Sequence, residues 1–586
     1  MFYDYNTQML NLNIFLCKEL CKERVEINCY LSARIVYFNY YSICEAERSM
    51  NEKMSSSFVK QAAILAVAGL AARFIGFLYR LPLTGLIGDE GNAIYSAGYY
   101  VYVFFFVLSS AGLPAAIAKM VSERAALRQY NNAHRVFEIS FAAAAATGFV
   151  CALALWFGAK PLANLVGVGE SYLVLRTLSP TVLIVAIISV YRGYFQGMGN
   201  SVPTAVSQIA DQAVNAVASV FLAWLLLRVT GGVAAGAAGG TAGTGVGALV
   251  GLAVMVYVYQ ISKKPISARI YSEKTAKLHE SDEMILIELL KTAFPIIVGT
   301  AVFSFTNLID LRMVMDRLTN GAGFAYEAAK NLYGQLSGKY VLLTTLPAAI
   351  STALATAAIP NIAASAAQGE RKAVLKKINT SLRLAMVISI PAAVGIGVLG
   401  NQIIKLLFRS YPEGGDLLMI GAVSIIFLAL AQITTGMLQA VGRVSIPAIA
   451  ALTGAAVKIP LNYILIGVTG INVRGAVIST IACYVVASAI DLAALRRITR
   501  VRLDVTGFLI KPAVCSLLMG MVCYVAYYAL YYSVPNNSLC TIVAILAGII
   551  SYVAFMLYMK GFDKNDLLLV PMGERIVRAL ERRRLL

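Results

Sequence analysis

Charge is scarce in this sequence. Asp, Glu, Lys and Arg make up 13% of its 586 residues, whereas 59% are hydrophobic. A soluble domain cannot hide that much apolar surface, because the fraction it can bury is limited by its size. Histidine is scarcer still. His134 and His279 are the only two, both in polar stretches, which leaves no basis for a histidine metal site. Nine cysteines do not make a framework. Cys17, Cys21, Cys29 and Cys44 crowd into the start of the chain, where "CKELCKERVEINC" lacks the second half of a zinc-ligand pattern. Cys151, Cys483, Cys515 and Cys523 lie in apolar runs and Cys540 near the start of one, so all nine read as unpaired. No Walker motif, catalytic triad or zinc motif occurs. The stretch "TGGVAAGAAGGTAGTGVGALVG" follows no strand and precedes no GK[ST], which excludes a phosphate loop; its glycines recur every fourth residue, as in closely packed membrane helices. These absences exclude most enzyme chemistries and a built-in ATPase. The chain reads as a transporter without cofactor, driven by a Na+ or H+ gradient, the membrane potential or its substrate gradient. One charge crossing the potential is worth ~2.3 kcal/mol per 100 mV.

What is present in quantity is apolar length. Mean hydropathy is +0.73, and runs longer than the ~20 residues needed to cross a bilayer recur through the chain. They do not alternate polar and apolar residues, so a barrel is excluded. The fold class is all-α and polytopic. Fourteen spans are expected, at 58–79, 93–117, 137–158, 172–195, 203–227, 233–261, 286–311, 331–358, 380–400, 417–440, 445–467, 473–494, 507–532 and 538–559. The net charge of +19 sits in short loops between them, chiefly after even-numbered spans. That is the positive-inside pattern, not a nucleic-acid surface, and it puts both termini in the cytoplasm. Residues 1–53 lack the features of a signal peptide. Character changes abruptly at "MNEKMSSSFVKQAAILAV", which fits a native start at Met54 or Met50 after read-through, or else a cytoplasmic extension.

Two echoes divide the chain. "LPAAI" occurs at 113–117 and 346–350, expected to end spans 2 and 8. "QGMGNSVP" at 196–203 and "QAVGRVSIP" at 439–447 join spans 4 to 5 and 10 to 11. Their six-span separation preserves orientation, so the repeat is parallel. The expected organisation is an extension at 1–53, a six-helix lobe at 54–285, a second at 286–500, two further helices at 501–560 and a basic cytoplasmic tail at 561–586.

Ionisable residues inside spans cost ~2.5–3.5 kcal/mol on insertion scales and face a cavity or a partner. Arg73 lies deep in span 1, and Arg80 shares its face if the helix holds to Pro82. Span 5 carries the stripe Thr204, Gln208, Asp211 and Asn215. Span 7 offers Asp310 with Arg312 near, span 8 offers Gln335 and Lys339, span 10 Gln432 and Thr435, and span 11 Lys458 and Asn462. Asp211 and Lys458 occupy equivalent places in the two lobes and could pair across them; Arg312 and Arg80 could instead snorkel to the interface.

"AARFIGFLYRLPLTGLIGDEGNAIYSAGYYVYVFFFVLSSAGLPAAIAKMVSE", "YRGYFQGMGNSVPTAVSQIADQAVN" and "LYGQLSGKYVLLTTLPAAISTALATAAIPNIAAS" together resemble the polysaccharide-biosynthesis branch of the multidrug/oligosaccharidyl-lipid/polysaccharide exporters, over about residues 54–560. Within that branch the likeness is to the stage V sporulation protein B and MurJ-type lipid II flippase groups. The resemblance implies two six-helix lobes in a V, alternating access, and a bacterial plasma-membrane location. It implies an undecaprenyl-pyrophosphate-linked saccharide, a cell-wall or spore-cortex precursor, as cargo, with membrane lipids and cell-envelope or sporulation machinery as partners. A family arginine in span 1 lies in the central cavity and is matched by Arg73; Arg80 matches the next with one residue of slippage. The span 8 arginine of the lipid II flippases is absent from "LYGQLSGKY", where Lys339, a turn further on, is the candidate to supply the charge. The last two spans would form a groove for the lipid tail. The candidate pyrophosphate site is therefore Arg73, Arg80, Arg312, Lys339 and Lys458, since guanidinium and ammonium groups bind phosphate oxygens. Gln208, Asp211, Asn215, Asp310, Gln335 and Asn462 are the candidate cavity-polar and ion-coupling residues. The alternative is a cation-coupled multidrug antiporter, for which Asp211 and Asp310 would be the working groups; a membrane scaffold for envelope enzymes is a third reading.

Overall fold

Helices supply the regular structure of the described residues, because a segment in hydrocarbon must satisfy its backbone N–H and C=O groups internally. The computed structural model describes residues 26–271, 280–367, 370–443, 445–500 and 504–561. The chain divides into two units, Met1–Gln61 and Ala62–Leu586; apart from the range given for the first helix, all that follows concerns the second. The expected N-terminal extension lies outside the described residues up to position 25, as does the basic tail from position 562.

In chain order the elements are α1 (Glu26–Ser110), α2 (Leu113–Ala126), α3 (Tyr130–Phe157), α4 (Ala159–Val166), α5 (Tyr172–Gly197), α6 (Val202–Thr230), α7 (Val233–Tyr271), α8 (Asp282–Asp316), α9 (Tyr326–Gln335), α10 (Val341–Ala367), α11 (Arg371–Leu407), α12 (Gly415–Gly421), α13 (Val423–Ala440), α14 (Ser445–Ile466), α15 (Arg474–Thr499), α16 (Lys511–Ser533) and α17 (Asn537–Tyr558). Among the described residues, 11 helical segments are long and apolar enough to cross a membrane. The first, Ile64–Ala126, has 63 residues. At 1.5 Å per residue it is about 95 Å long, some three times a hydrocarbon core, and it breaks at Gly88, whose φ of 70° is left-handed. Spans 1 and 2 both lie in it. Spans 7 and 8 fall on α8 and α10, which are not among the 11.

The second sequence echo is a structural one. After α5, the N–H groups of Met198, Gly199 and Asn200 donate to the carbonyls of Tyr194, Gln196 and Phe195; after α13, those of Val441, Gly442 and Arg443 donate to Met437, Gln439 and Leu438. Gly199 and Gly442 sit at φ 77° and 78°. Both are the glycine-terminated helix end in which a left-handed residue lets the last carbonyls find partners. The first echo behaves differently. The earlier "LPAAI" opens α2, its proline at the first turn, whereas the later one lies inside α10. Neither copy ends a helix, contrary to the sequence expectation.

The glycine stripe of α7 does what its spacing predicts. A Cβ on Gly239 would fall 2.5 Å from the Leu222 carbonyl oxygen, one on Gly247 2.5 Å from that of Asp211, and one on Gly243 on the backbone of Ser219. Backbone contact of α6 with α7 is possible only without side chains there. Gly243→Val should therefore destabilise the detergent-solubilised protein by about 1–3 kcal/mol through overpacking, read as a lower midpoint of thermal unfolding.

The apolar core is arranged in blocks. One holds residues from both halves: Leu83, Ile94, Tyr95 and Leu178 pack with Leu311, Tyr333, Tyr340 and Phe408. A second joins α2, α3, α5 and α7, and a third α10, α11, α13 and α15. The halves thus share a core at the end carrying "LIGDEGN" and have separate cores at the other. A fourth block packs α11 against α16 and α17.

Candidate functional site

A cavity of about 580 Å³ lies between the halves, walled by α1, α6 and α7 on one side and by the start of α10 and α13 on the other. α1 stays helical through Pro82, so Arg73 and Arg80, two turns apart, share a face, and both line the cavity. The Arg80 guanidinium lies 4.4 Å from the centre of the Tyr95 ring and 5.7 Å from that of Tyr99, contacts that orient it without neutralising it. Tyr79, Tyr99, Ser96, Gln212, Asn215 and Gln432 add polar groups. Among the described residues no carboxylate is on the wall. Its two ionisable groups of definite charge are both cationic.

The acids expected there are engaged elsewhere. Asp211 faces Arg192 at 3.7 Å, and the Arg192 Nε donates to Ser207 Oγ at 3.0 Å. Asp310 accepts from Lys458 at 2.9 Å and also from the Asn462 amide, which in turn accepts from Ser479. The pairing of Asp211 with Lys458 across the lobes does not occur. Each finds its partner on a helix of its own half, α5 with α6 and α8 with α14, because those helices are in contact and the equivalent positions are not. Asn215 is on the cavity wall, its Oδ1 accepting from Ser219 at 2.8 Å. Gln208 is half-buried and off the wall; Gln212, one turn on, takes the place expected of it. Arg192 and Gln212 both stand in "YRGYFQGMGNSVPTAVSQIADQAVN", but periodicity does not tell which neighbour a polar residue meets.

Lys339 is not a cavity residue. It is fully buried, in a π turn between α9 and α10, and its ammonium donates to Asp89 Oδ2 at 2.9 Å and to the carbonyls of Tyr411 and Glu413 at 2.7 and 3.0 Å. Gln335 donates to Glu413 at 3.0 Å. One turn before, Lys330 is held by Glu90 at 2.9 Å and by Glu170 and Glu327 at 3.0 Å each. Burial acts to lower the pKa of Lys330, but its hydrogen bonds to the three carboxylates outweigh that and hold it above the ordinary lysine value. Its contribution to stability is thus complete below the ordinary lysine pKa and is lost only as pH rises through the higher folded value. The "GQLSG" pair permits the approach: a Cβ on Gly334 would collide with the Asp89 carbonyl, and one on Gly338 would come 2.6 Å from the Asn92 side chain. "LIGDEGN", "KNLYGQLSGKY" and "RSYPEGG" therefore form one polar lock between the halves. Arg312 is exposed beside Gly167, which ends α4, and is on neither the cavity wall nor the lock.

The other end carries a clasp. Ser281 caps α8, accepting from the Met284 N–H at 3.3 Å. Arg124 of α2 binds Glu288 at 2.7 Å and also Glu280, and Arg135 of α3 binds Asp282. Ile285, Leu289 and Ala293 complete the first half's core. α8 thus begins on the first half and ends paired with α14 of the second; the division expected after residue 285 falls inside this bridge. Arg124→Ala removes charge-assisted bonds worth about 1.5–3 kcal/mol each. Maleimide labelling of Leu289→Cys should then become at least about tenfold faster in the Arg124→Ala background.

The sequence pattern of the family described as polysaccharide biosynthesis protein matches residues 58–366, more than half of the chain. The chain belongs to that family. The resemblance drawn from its residues holds: the chain also matches the MatE pattern over residues 341–464. It is 25% identical over 447 residues to the lipid II flippase MurJ of Bacillus subtilis, covering 74% of this chain and 81% of that protein. It is 24% identical over 531 residues to stage V sporulation protein B of the same organism, covering 89% and 99%. The solved structure of the lipid II flippase MurJ in an inward closed conformation superposes with a TM-score of 0.61 at 17% identity, covering 83% of this chain and 97% of that one. The fold is that of a multi-pass helical membrane transporter.

Proposed function

We propose that this protein is a flippase for a polyprenyl-pyrophosphate-linked saccharide, a precursor of cell-wall or spore-cortex type, working by alternating access in the bacterial plasma membrane. The observation that carries this reading is the cavity wall, with Arg73 and Arg80 on it and no acid. A pyrophosphate needs such donors in a site of reduced dielectric. A cation-coupled drug exporter needs a free carboxylate at its cavity, and Asp211 and Asp310 are turned to Arg192 and Lys458. In this reading the lock closes the outer face, the cavity serves the cytoplasmic leaflet, and α8 is the moving bridge. The names of the relatives, a lipid II flippase and a stage V sporulation protein, support the class of cargo. Binding to the purified protein tests it: an undecaprenyl-pyrophosphate-linked saccharide should compete with undecaprenyl pyrophosphate, and a cationic dye should not. Tight dye binding that the pyrophosphate lipid leaves untouched would favour the drug exporter.

A further inference from the structure

The two halves treat their basic helix ends differently. In the first half Arg124 and Arg135 are consumed by Glu280, Glu288 and Asp282. In the second half a cleft of about 340 Å³ opens where three helices end, lined by Ser365 of α10, Arg371 and Leu375 of α11, and Ile498, Thr499 and Arg500 at the end of α15. Arg371 is the first residue of α11, and Arg500 caps α15 in the left-handed conformation at φ 50°. Both are exposed. Among the described residues neither has a carboxylate within ion-pair distance, and the lining contains no acid. Lys377 fixes one of the hydroxyls, its ammonium donating to Ser365 Oγ at 2.8 Å.

This cleft has polar and apolar sides in the order a bilayer surface presents. Arg371, Arg500 and the two hydroxyls sit at the ends of spanning helices, where headgroups lie. Leu375 and Ile498, about one turn or less away, lie on the side nearer the expected spans 380–400 and 473–494. An arginine pair without a counter-ion repels itself and attracts a phosphate, and anionic leaflets concentrate phosphodiesters at this depth. We propose that the cleft is a binding site for an anionic glycerophospholipid of the surrounding bilayer, its phosphate held between Arg371 and Arg500 and an acyl chain lying along Leu375 and Ile498. The site is separate from the central cavity, with which it shares no residue, so it stands or falls independently of the cargo.

Native mass spectrometry of the full-length protein in detergent tests this. Phosphatidylglycerol should remain bound where phosphatidylcholine does not. The double variant Arg371→Gln, Arg500→Gln should bind it about tenfold or more weakly, the loss expected for two charge-assisted contacts. The control Arg496→Gln, Arg497→Gln removes the same charge one turn away and should bind as the unmodified chain does. An unchanged thermal midpoint of both lipid-free variants excludes misfolding as the cause. Equal loss in the two variants, or equal retention of phosphatidylcholine, would overturn the site. So would displacement of phosphatidylglycerol by equimolar inorganic phosphate, which points to a free anion, or by undecaprenyl pyrophosphate, which points to the cargo.

Discussion

Lys339→Met is expected to lower the stability of the detergent-solubilised protein by about 3–5 kcal/mol, the loss found when one partner of a buried ion pair is removed. The reason is what remains. Asp89 is 5% exposed and would be left buried without the ammonium at 2.9 Å, while the carbonyls of Tyr411 and Glu413 would lose their donor. The double variant Lys339→Met, Asp89→Leu should recover much of the loss, since no charge is then stranded. Thermal unfolding of the four proteins of this cycle gives the coupling. The same cycle reads conformation. Spin labels placed on either side of the lock should move apart in Lys339→Met and stay together in the parent, because the lock joins the halves at the end where they also share a core. A recovery no better than the single variant would mean that Lys339 acts through packing alone.

Neutralising the cavity should abolish function while leaving stability nearly intact. Each arginine contact to a phosphate is worth about 1.5–3 kcal/mol, so Arg73→Ala and Arg80→Ala should each weaken pyrophosphate-lipid binding by roughly tenfold to a hundredfold. The two sites should answer differently to lysine. Arg73 is exposed to the cavity, with no ring of the described residues over it, and Arg73→Lys should keep its charge and most of its effect. Arg80 lies against the Tyr95 ring, and a lysine loses both the planar stacking and the forked donors that go with it. Arg80→Lys should therefore behave nearly as badly as Arg80→Ala. Equilibrium binding of a labelled undecaprenyl-pyrophosphate lipid to the purified variants measures all four.

Much of this arrangement was legible in the sequence, and the rest failed for a definite reason. Apolar runs located the helices, and the echo at Gln196 and Gln439 located two like helix ends. The period of α1 put Arg73 and Arg80 on one face, and both line one cavity. The glycines of α7 announced a close helix contact, and the structure shows it to be with α6. What did not follow was pairing. Asp211 and Lys458 looked matched because they are equivalent by repeat, yet equivalence in a repeat says nothing of contact, and Arg192 and Asp310 are the neighbours. Lys339 looked like a ligand because it stood near a missing arginine, whereas its partner Asp89 lies 250 positions earlier in the chain. "LIGDEGN" falls between the expected spans 1 and 2. Its meaning depends on a facing surface in the other half, and the one local hint was the Gly334–Gly338 spacing, which marks a close approach without naming what approaches.

The central claim is that an acid-free cavity with two arginines carries a pyrophosphate-linked saccharide across the membrane. Its most direct test is translocation by the purified full-length protein in liposomes, following a fluorescent undecaprenyl-pyrophosphate saccharide from one leaflet to the other by quenching from outside. The expected result is protein-dependent translocation that is lost in the Arg73→Ala, Arg80→Ala double variant and kept in the Arg496→Gln, Arg497→Gln control. Translocation by the cavity double variant at the rate of the unmodified protein would contradict the account.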